Sequence, residues 1–238
     1  NIDYAPVTIN RYINVMKKLQ KAIPDFYGKE DITFHELNSD FIATFDLFLK
    51  TEAGLCRNTI VRYMKCFKRI TNMALAKEWM RKDPFYGYKM AQDETDPVFL
   101  TYPELKSIME KEFTIPRLAL VRDIFVFAAF TGLAFANVST LTKDNLVQDN
   151  NGDWWIRKGR VKLERRHRAS SVCNIPLLPV PIAILKKYEE HPICRKKSLC
   201  LPVICNQRMN SYLKEIADLC NIRKNLTTHT AKHSKIYI

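Results

Sequence analysis

"RKDPFYGYKMAQDETDPVFLT", residues 81–101, is where a helical sequence loses its period. Two prolines, one glycine and interleaved charges break the pattern, as they do between domains. The stretch ends on a helix-start signal. Thr101 and Glu104 form a capping box, and Leu100 and Leu105 can staple across it. The chain therefore divides into a helical domain over 1–90, a linker over 91–100 and a second domain over 101–238.

Toward the amino terminus three helices are predicted. Thr8 caps the first, with Ile9, Tyr12, Ile13, Met16 and Leu19 as its apolar positions. Asp40 caps the second, which turns Phe41, Ile42, Phe45, Phe48 and Leu49 inward. The third begins near Asn58 and carries Ile60, Tyr63, Met64, Phe67, Ile70 and Ala74 on one side. Arg62, Lys65 and Arg69 lie on the other, and at about 100° per residue the two stripes are nearly opposite. A single charged row is usually a solvated face. Here no acid interrupts the cations and Asn58 extends the row, which favours contact with phosphates.

Toward the carboxyl terminus, "PRLALVRDIFVFAAF" predicts a mostly apolar helix over residues 116–130, and Gly132 interrupts the helical pattern after it. Asn151-Gly152 marks a turn before the strand in "DWWIRKGR". "SSVCNIPLL" gives a second extended run, and Pro176 places it at an edge or a strand end. Between the strands, seven of the twelve residues 157–168 are Lys or Arg. Arg157, Lys158, Arg160, Lys162, Arg165 and Arg166 thus form a basic hairpin tip able to clamp phosphates. Two further helices follow in "VPIAILKKYEE" and "NQRMNSYLKEIADLC". The fold class expected is mainly α with a small β-hairpin or sheet.

Composition narrows the partner. The 238 residues are 47% hydrophobic with only 6 glycines, enough to build cores and unlike a disordered chain. The formal charge of +13 and pI near 9.4 favour a polyanion, nucleic acid before membrane surface. No stretch approaches the roughly 20 apolar residues of a membrane span, and no signal peptide opens the chain. Asn1 stands where a complete chain has Met, as in a fragment or a processed protein. Seven cysteines, an odd number within apolar patterns, suit reduced thiols in the cytoplasm.

The carboxyl-terminal "TTHTAKHSKIYI", residues 227–238, sets His229 and His233 four apart, on one face of a helix. Cys200, Cys205 and these histidines are zinc-ligand types. However, 23 residues separate Cys205 from His229, against about 12–15 in zinc fingers, and "CLPVIC" reads as an apolar segment. No metal is assigned. Glycine loops for nucleotides, a nucleophile elbow and an acidic cluster are all missing, so no cofactor is expected. Metal-free phosphoryl transfer needs cations and donors around a phosphate, a nucleophile and an acid. His229, Lys232 and His233, the hairpin cations and Tyr237 supply those types.

These segments, in this order, resemble the tyrosine recombinases (phage-type integrases) of mobile elements in Bacteroides-like bacteria. "FTGLAFANVSTLT" is similar to the segment around that family's first catalytic arginine. "VCNIPLLP" follows a hairpin like the one that bears its catalytic lysine. "LPVICNQRMNSYLKEIADLCNIRKNLTTHTAKH" resembles the helix and His-x-x-Arg-His box after it. The resemblance covers nearly the whole chain. It implies a helical core-binding (SAM-like) domain joined to a catalytic domain that closes on duplex DNA and assembles as a tetramer there. The implied activity is site-specific recombination or integration through a 3′-phosphotyrosyl intermediate. The alternative is a catalytically impaired remnant that only binds DNA.

Carried over residue by residue, Ala134 occupies the first-arginine position and Asn137 the acidic position after it. Lys162 matches the lysine that protonates the leaving 5′ oxygen, with Lys158 as the alternative. His229 and His233 match the box, while Lys232 replaces its arginine and loses the bidentate fork onto phosphate oxygens. The family places a longer stretch, with another histidine, between this box and its nucleophilic tyrosine. Tyr237 follows His229 by only eight residues, about 12 Å on a continuous helix. It is the candidate nucleophile of a catalytic domain whose carboxyl-terminal part is expected to be incomplete here.

Overall fold

The structure, a computed structural model, describes residues 4–159 and 172–234. The chain divides between Thr95 and Asp96 into two compact units. Among the described residues no helix is long and apolar enough to cross a membrane.

The first unit packs three helices, α1 (Pro6–Tyr27), α2 (Ser39–Lys50) and α3 (Arg57–Ala76). Pro6 starts α1, its fixed φ suited to a first turn whose amide needs no partner, and Ala5 rather than Thr8 is the cap residue. The inner face of α1 is also rotated from expectation. Val15, Ala22 and Ile23 are buried, whereas Ile13 and Met16 are exposed. Asn38, not Asp40, caps α2, its Oδ1 accepting from the Phe41 amide at 2.9 Å. The five apolar residues expected inside α2 are all buried. Phe67 of α3 is the hub of this core, meeting Phe41, Phe45 and Phe85 edge-on at 6.2, 5.7 and 5.6 Å between ring centroids.

The second unit is built around α5 (Pro116–Thr131), whose buried residues face several directions. α4 (Tyr102–Glu110) precedes it, opened by the Thr101–Glu104 capping box. Gly132 ends α5 in the left-handed conformation at φ +65°, where a Cβ would be strained. The short α6 (Phe135–Val138) and a 3₁₀ turn (Lys143–Asn145) follow.

The expected hairpin is part of a three-stranded antiparallel sheet, β1 (Leu146–Gln148), β2 (Trp154–Gly159) and β3 (Val172–Pro176), in the order β1-β2-β3. Pro176 is the last residue of the edge strand β3 and lies opposite Trp155. The β1–β2 turn is organised by Asp149. Its carboxylate accepts from the Asn151 and Asp153 amides and from Trp155 Nε1, all at 2.9 Å. α7 (Pro179–Tyr188), α8 (Pro192–Lys197), α9 (Asn206–Leu219) and α10 (Thr228–His233) complete the unit. α5 packs against α4, α7, α9 and α10.

Candidate functional site

In the first unit, α3 sorts its side chains as its sequence demands. Ile60, Met64, Phe67 and Ala74 are buried, while Arg62, Lys65 and Arg69 are exposed. At 100° per residue Asn58, Arg62, Lys65 and Arg69 fall within about 60° of arc. This is one continuous polar face. Two members already hold partners in the chain that follows α3. Asn58 donates to the Asp93 carbonyl at 3.0 Å and accepts from the Asp93 amide at 2.9 Å. Lys65 donates to Gln92 Oε1 at 3.2 Å. Arg69 stands over the Tyr4 ring at 5.8 Å.

In the second unit, α10 carries the histidine box. Thr227 and Thr230 close a capping box at its start. Two asparagines one turn apart on α9 fasten the next residue. Asn210 Oδ1 accepts from the Thr228 amide at 2.8 Å, and Asn206 Oδ1 accepts from the Thr228 hydroxyl at 2.7 Å. Sequence reasoning missed this pair. Their i, i+4 spacing on a helix just upstream of the box was the available signal. The Ser234 hydroxyl accepts from the Leu100 amide at 2.7 Å and donates to the Thr230 carbonyl at 2.8 Å. α10 is thus fixed on both sides by hydrogen bonds, buried or half-buried except the exposed one to Asn206, with Thr230 and Ala231 facing inward.

Its outer face presents His229, Lys232 and His233, all exposed. The two imidazoles meet edge to face, 4.5 Å between centroids, with their Nε2 atoms 3.0 Å apart. One ring must donate and the other accept, so the bond holds at most one of the two rings doubly protonated. The pair is a polar, proton-sharing edge beside a cation, chemically suited to an anionic oxygen.

Ala134 is the cap residue of α6, which packs against the inner side of α10. Phe135 and Val138 of α6 and Thr228 and Ala231 of α10 line one hollow of about 10 Å³ against α5 and α9. The fold therefore brings the residues after Ala134 beside those flanking His229, although the alanine methyl offers no charge. Asn137 is half-buried on the same short helix, its amide donating to the Ala134 carbonyl at 2.8 Å.

The basic strands separate by alternation. Arg157 is exposed and pairs in register with Asn174, whereas Lys158 is half-buried. Lys158 Nζ donates to the Thr140 carbonyl at 2.6 Å and to Asn145 Oδ1 at 3.0 Å, tying β2 to the turns after α6. Arg160, Lys162, Arg165, Arg166 and Tyr237 lie outside the described residues.

As for a metal, among the described residues no three His, Cys, Asp or Glu side chains converge. Burial also pushes the Cys200 thiol up to about 11, which disfavours the thiolate a metal would bind.

Residues 3–90 match the model of the phage integrase SAM-like domain. No curated protein matches the chain in sequence. Among solved structures it is similar to lambda integrase in a dimer bound to a COC′ core site, with 12% identity and a TM-score of 0.73. That match covers 97% of this chain and 78% of the other. It is similar to the XerH site-specific recombinase bound to a palindromic difH substrate, with 16% identity, a TM-score of 0.69 and coverage of 96% and 67%. It is also similar to the Tn1549 transposon integrase in complex with a circular intermediate DNA, with 16% identity, a TM-score of 0.64 and coverage of 94% and 79%. Likenesses at such identities bear on fold. Residues 3–90 thus match the phage integrase SAM-like domain, and the chain as a whole has the fold of the tyrosine recombinase family.

Proposed function

We propose that this chain is the core of a mobile-element integrase that binds duplex DNA and cuts and rejoins its strands at a specific site. The observation that carries the reading is the exposed face of α10. There His229, Lys232 and His233 stand together on a helix anchored by Asn206, Asn210 and Ser234, beside the α6 segment that begins at Ala134. On this reading the first unit is the core-binding domain and the second the catalytic domain. The α3 face, Asn58, Arg62, Lys65 and Arg69, contacts phosphates, as do Arg157, Lys158, Arg160, Arg165 and Arg166.

The proposed chemistry balances without a metal or a nucleotide. The Tyr237 oxygen attacks the scissile phosphorus as its phenolic proton passes to an imidazole of the His229–His233 pair, the bond to the 5′ oxygen breaks, and Lys162 gives that oxygen its proton. The new 3′-phosphotyrosyl bond conserves the energy of the old one, so the returning 5′ hydroxyl reseals the strand by the reverse step. His229, Lys232 and His233 hold the phosphate oxygens. The protein works as a tetramer on DNA in the cytoplasm.

A second reading rests on two substitutions. Ala134 and Lys232 stand where the resembling family has arginines, so both guanidinium forks are replaced. A chain in that state holds DNA without cutting it. Trapping on a nicked duplex carrying the target site, followed by a denaturing gel, separates the two. A covalent adduct lost in Tyr237→Phe supports strand cleavage by Tyr237. Salt-sensitive binding with no adduct supports the DNA-holding remnant.

A further inference from the structure

The segment that follows α3 does not leave the first unit freely. Tyr88 donates its hydroxyl to the buried Asp46 at 2.6 Å, which anchors the start. Burial first, then this hydrogen bond, raises the Tyr88 phenol well above its ordinary pKa, so the anchor stays a donor at any working pH. Arg57 then donates to the Lys89 carbonyl at 3.2 Å and the Ala91 carbonyl at 3.3 Å. Asn58 grips the Asp93 backbone through both its amide atoms, and Lys65 holds the Gln92 side chain. Four polar side chains on α2 and α3, Asp46, Arg57, Asn58 and Lys65, thus bind one six-residue run, 88–93, and the last three lie in the first three turns of α3.

Gln92 and Asp93 close this run and Glu94 follows it, all three exposed, so two acidic residues sit in the segment whose Asp93 backbone is held by Asn58. Asn58 lies one turn, about 6 Å along the axis, from Arg62. We infer that residues 88–94 are an autoinhibitory strap, an internal acidic stand-in for DNA that occupies Asn58 and Lys65 until duplex displaces it. This rests on the reading of the α3 face as a DNA contact. The physical case is competition. A phosphate brought onto Asn58 and Lys65 must share their donors with Asp93 and Gln92 or displace them, and the two acids repel the incoming backbone. The bonds that hold the strap are exposed and neutral on one side, of the kind that exchange readily. The anchor at Tyr88 is half-buried and stays.

The test compares the whole chain with Asp93→Asn/Glu94→Gln, using a fluorescein-labelled mixed-sequence duplex over a range of salt. Amide hydrogen exchange at Asp93 is followed with and without the duplex. The strap predicts tighter binding by the double variant at low salt, about threefold or more for two charges acting near a Debye length, with the gain fading at high salt. It also predicts faster exchange of the Asp93 amide when duplex is bound. Unchanged or weaker binding by the double variant overturns it, and so does slower Asp93 exchange, which would make the segment part of the DNA-facing surface. Arg62→Gln/Lys65→Gln/Arg69→Gln keeps the two readings apart. If that variant binds as well as the parent, the α3 interface itself is wrong. If it binds worse while the acid-neutralised variant gains nothing, only the strap fails.

Discussion

Replacing Arg62, Lys65 and Arg69 together by glutamine removes three charges from α3 and leaves its core face untouched. All three are exposed, and glutamine matches Arg and Lys in helix propensity, so helicity and unfolding midpoint should hold within about 0.5 kcal/mol. The partners they release cost little, since Gln92 is a neutral amide and Tyr4 a ring. If each cation neutralises one phosphate, log K against log salt flattens by about 0.9 per contact, or about 2.7 for the three. Between 50 and 200 mM salt the parent would then lose about 40-fold more affinity than the variant loses, from that slope difference alone. Fluorescence anisotropy with a labelled duplex, at four or more salt concentrations, measures both slopes. A slope change below about 0.5 with a folded variant would remove α3 from the interface. A change near 0.9 would leave one contact, and Arg62 is then the residue to test singly.

Two further outcomes concern the second unit itself. Asp123 is a buried carboxylate that accepts from Arg122, from Lys187 at 2.7 Å and from Tyr188 at 2.8 Å, joining α5 to α7. Asp123→Ala should cost about 3 kcal/mol by denaturant titration, because a largely buried guanidinium and phenol lose their acceptor; a loss under about 1 kcal/mol would show the site relaxing or filling with water. Asp149 in the β1–β2 turn is held below the ordinary aspartate value, first by the Trp155 indole and then by the Asp153 amide. Its folded pKa is depressed, so its contribution is complete above the ordinary value of 3.8 and is lost as pH falls through the lower folded value. Tryptophan fluorescence during acid titration should therefore show a turn transition below that value that Asp149→Asn abolishes; an identical titration in the variant would refute the assignment.

How far the sequence could be read depended on how local each cause was. The capping box at Thr101, the apolar α5 and the buried face of α2 follow from residues within one or two turns, and all are present. The α1 stripe is different. Its apolar residues allow two neighbouring faces, and only packing against α2 and α3 selects the one with Val15 and Ala22, whose small side chains let helices approach. β1 is three residues long, too short to display a period, and exists because β2 offers it a ladder. Asn58 shows the limit most directly. Its place in the cationic row was legible, but its partner is 35 positions away, beyond any periodic signal.

The same distinction governs the catalytic reading. Charge at the box is local, and Lys232 keeps it, but a phosphate in the transition state is held by direction as well as charge. An arginine at position 232 would restore a planar fork on the outer face of α10, which Thr227, Asn206 and Asn210 already hold in place. If those asparagines serve to aim the box, their loss should lower cleavage by a Lys232→Arg chain more than cleavage by the parent, because a fork depends on orientation and an ammonium much less. A box whose neighbours fix its orientation is then fitted to a directional cation it lacks. The proposed DNA-holding remnant predicts that combination, a scaffold kept after its chemistry, whereas the proposed integrase predicts cleavage by the parent itself, so a gain of cleavage by Lys232→Arg over an inactive parent is the informative result.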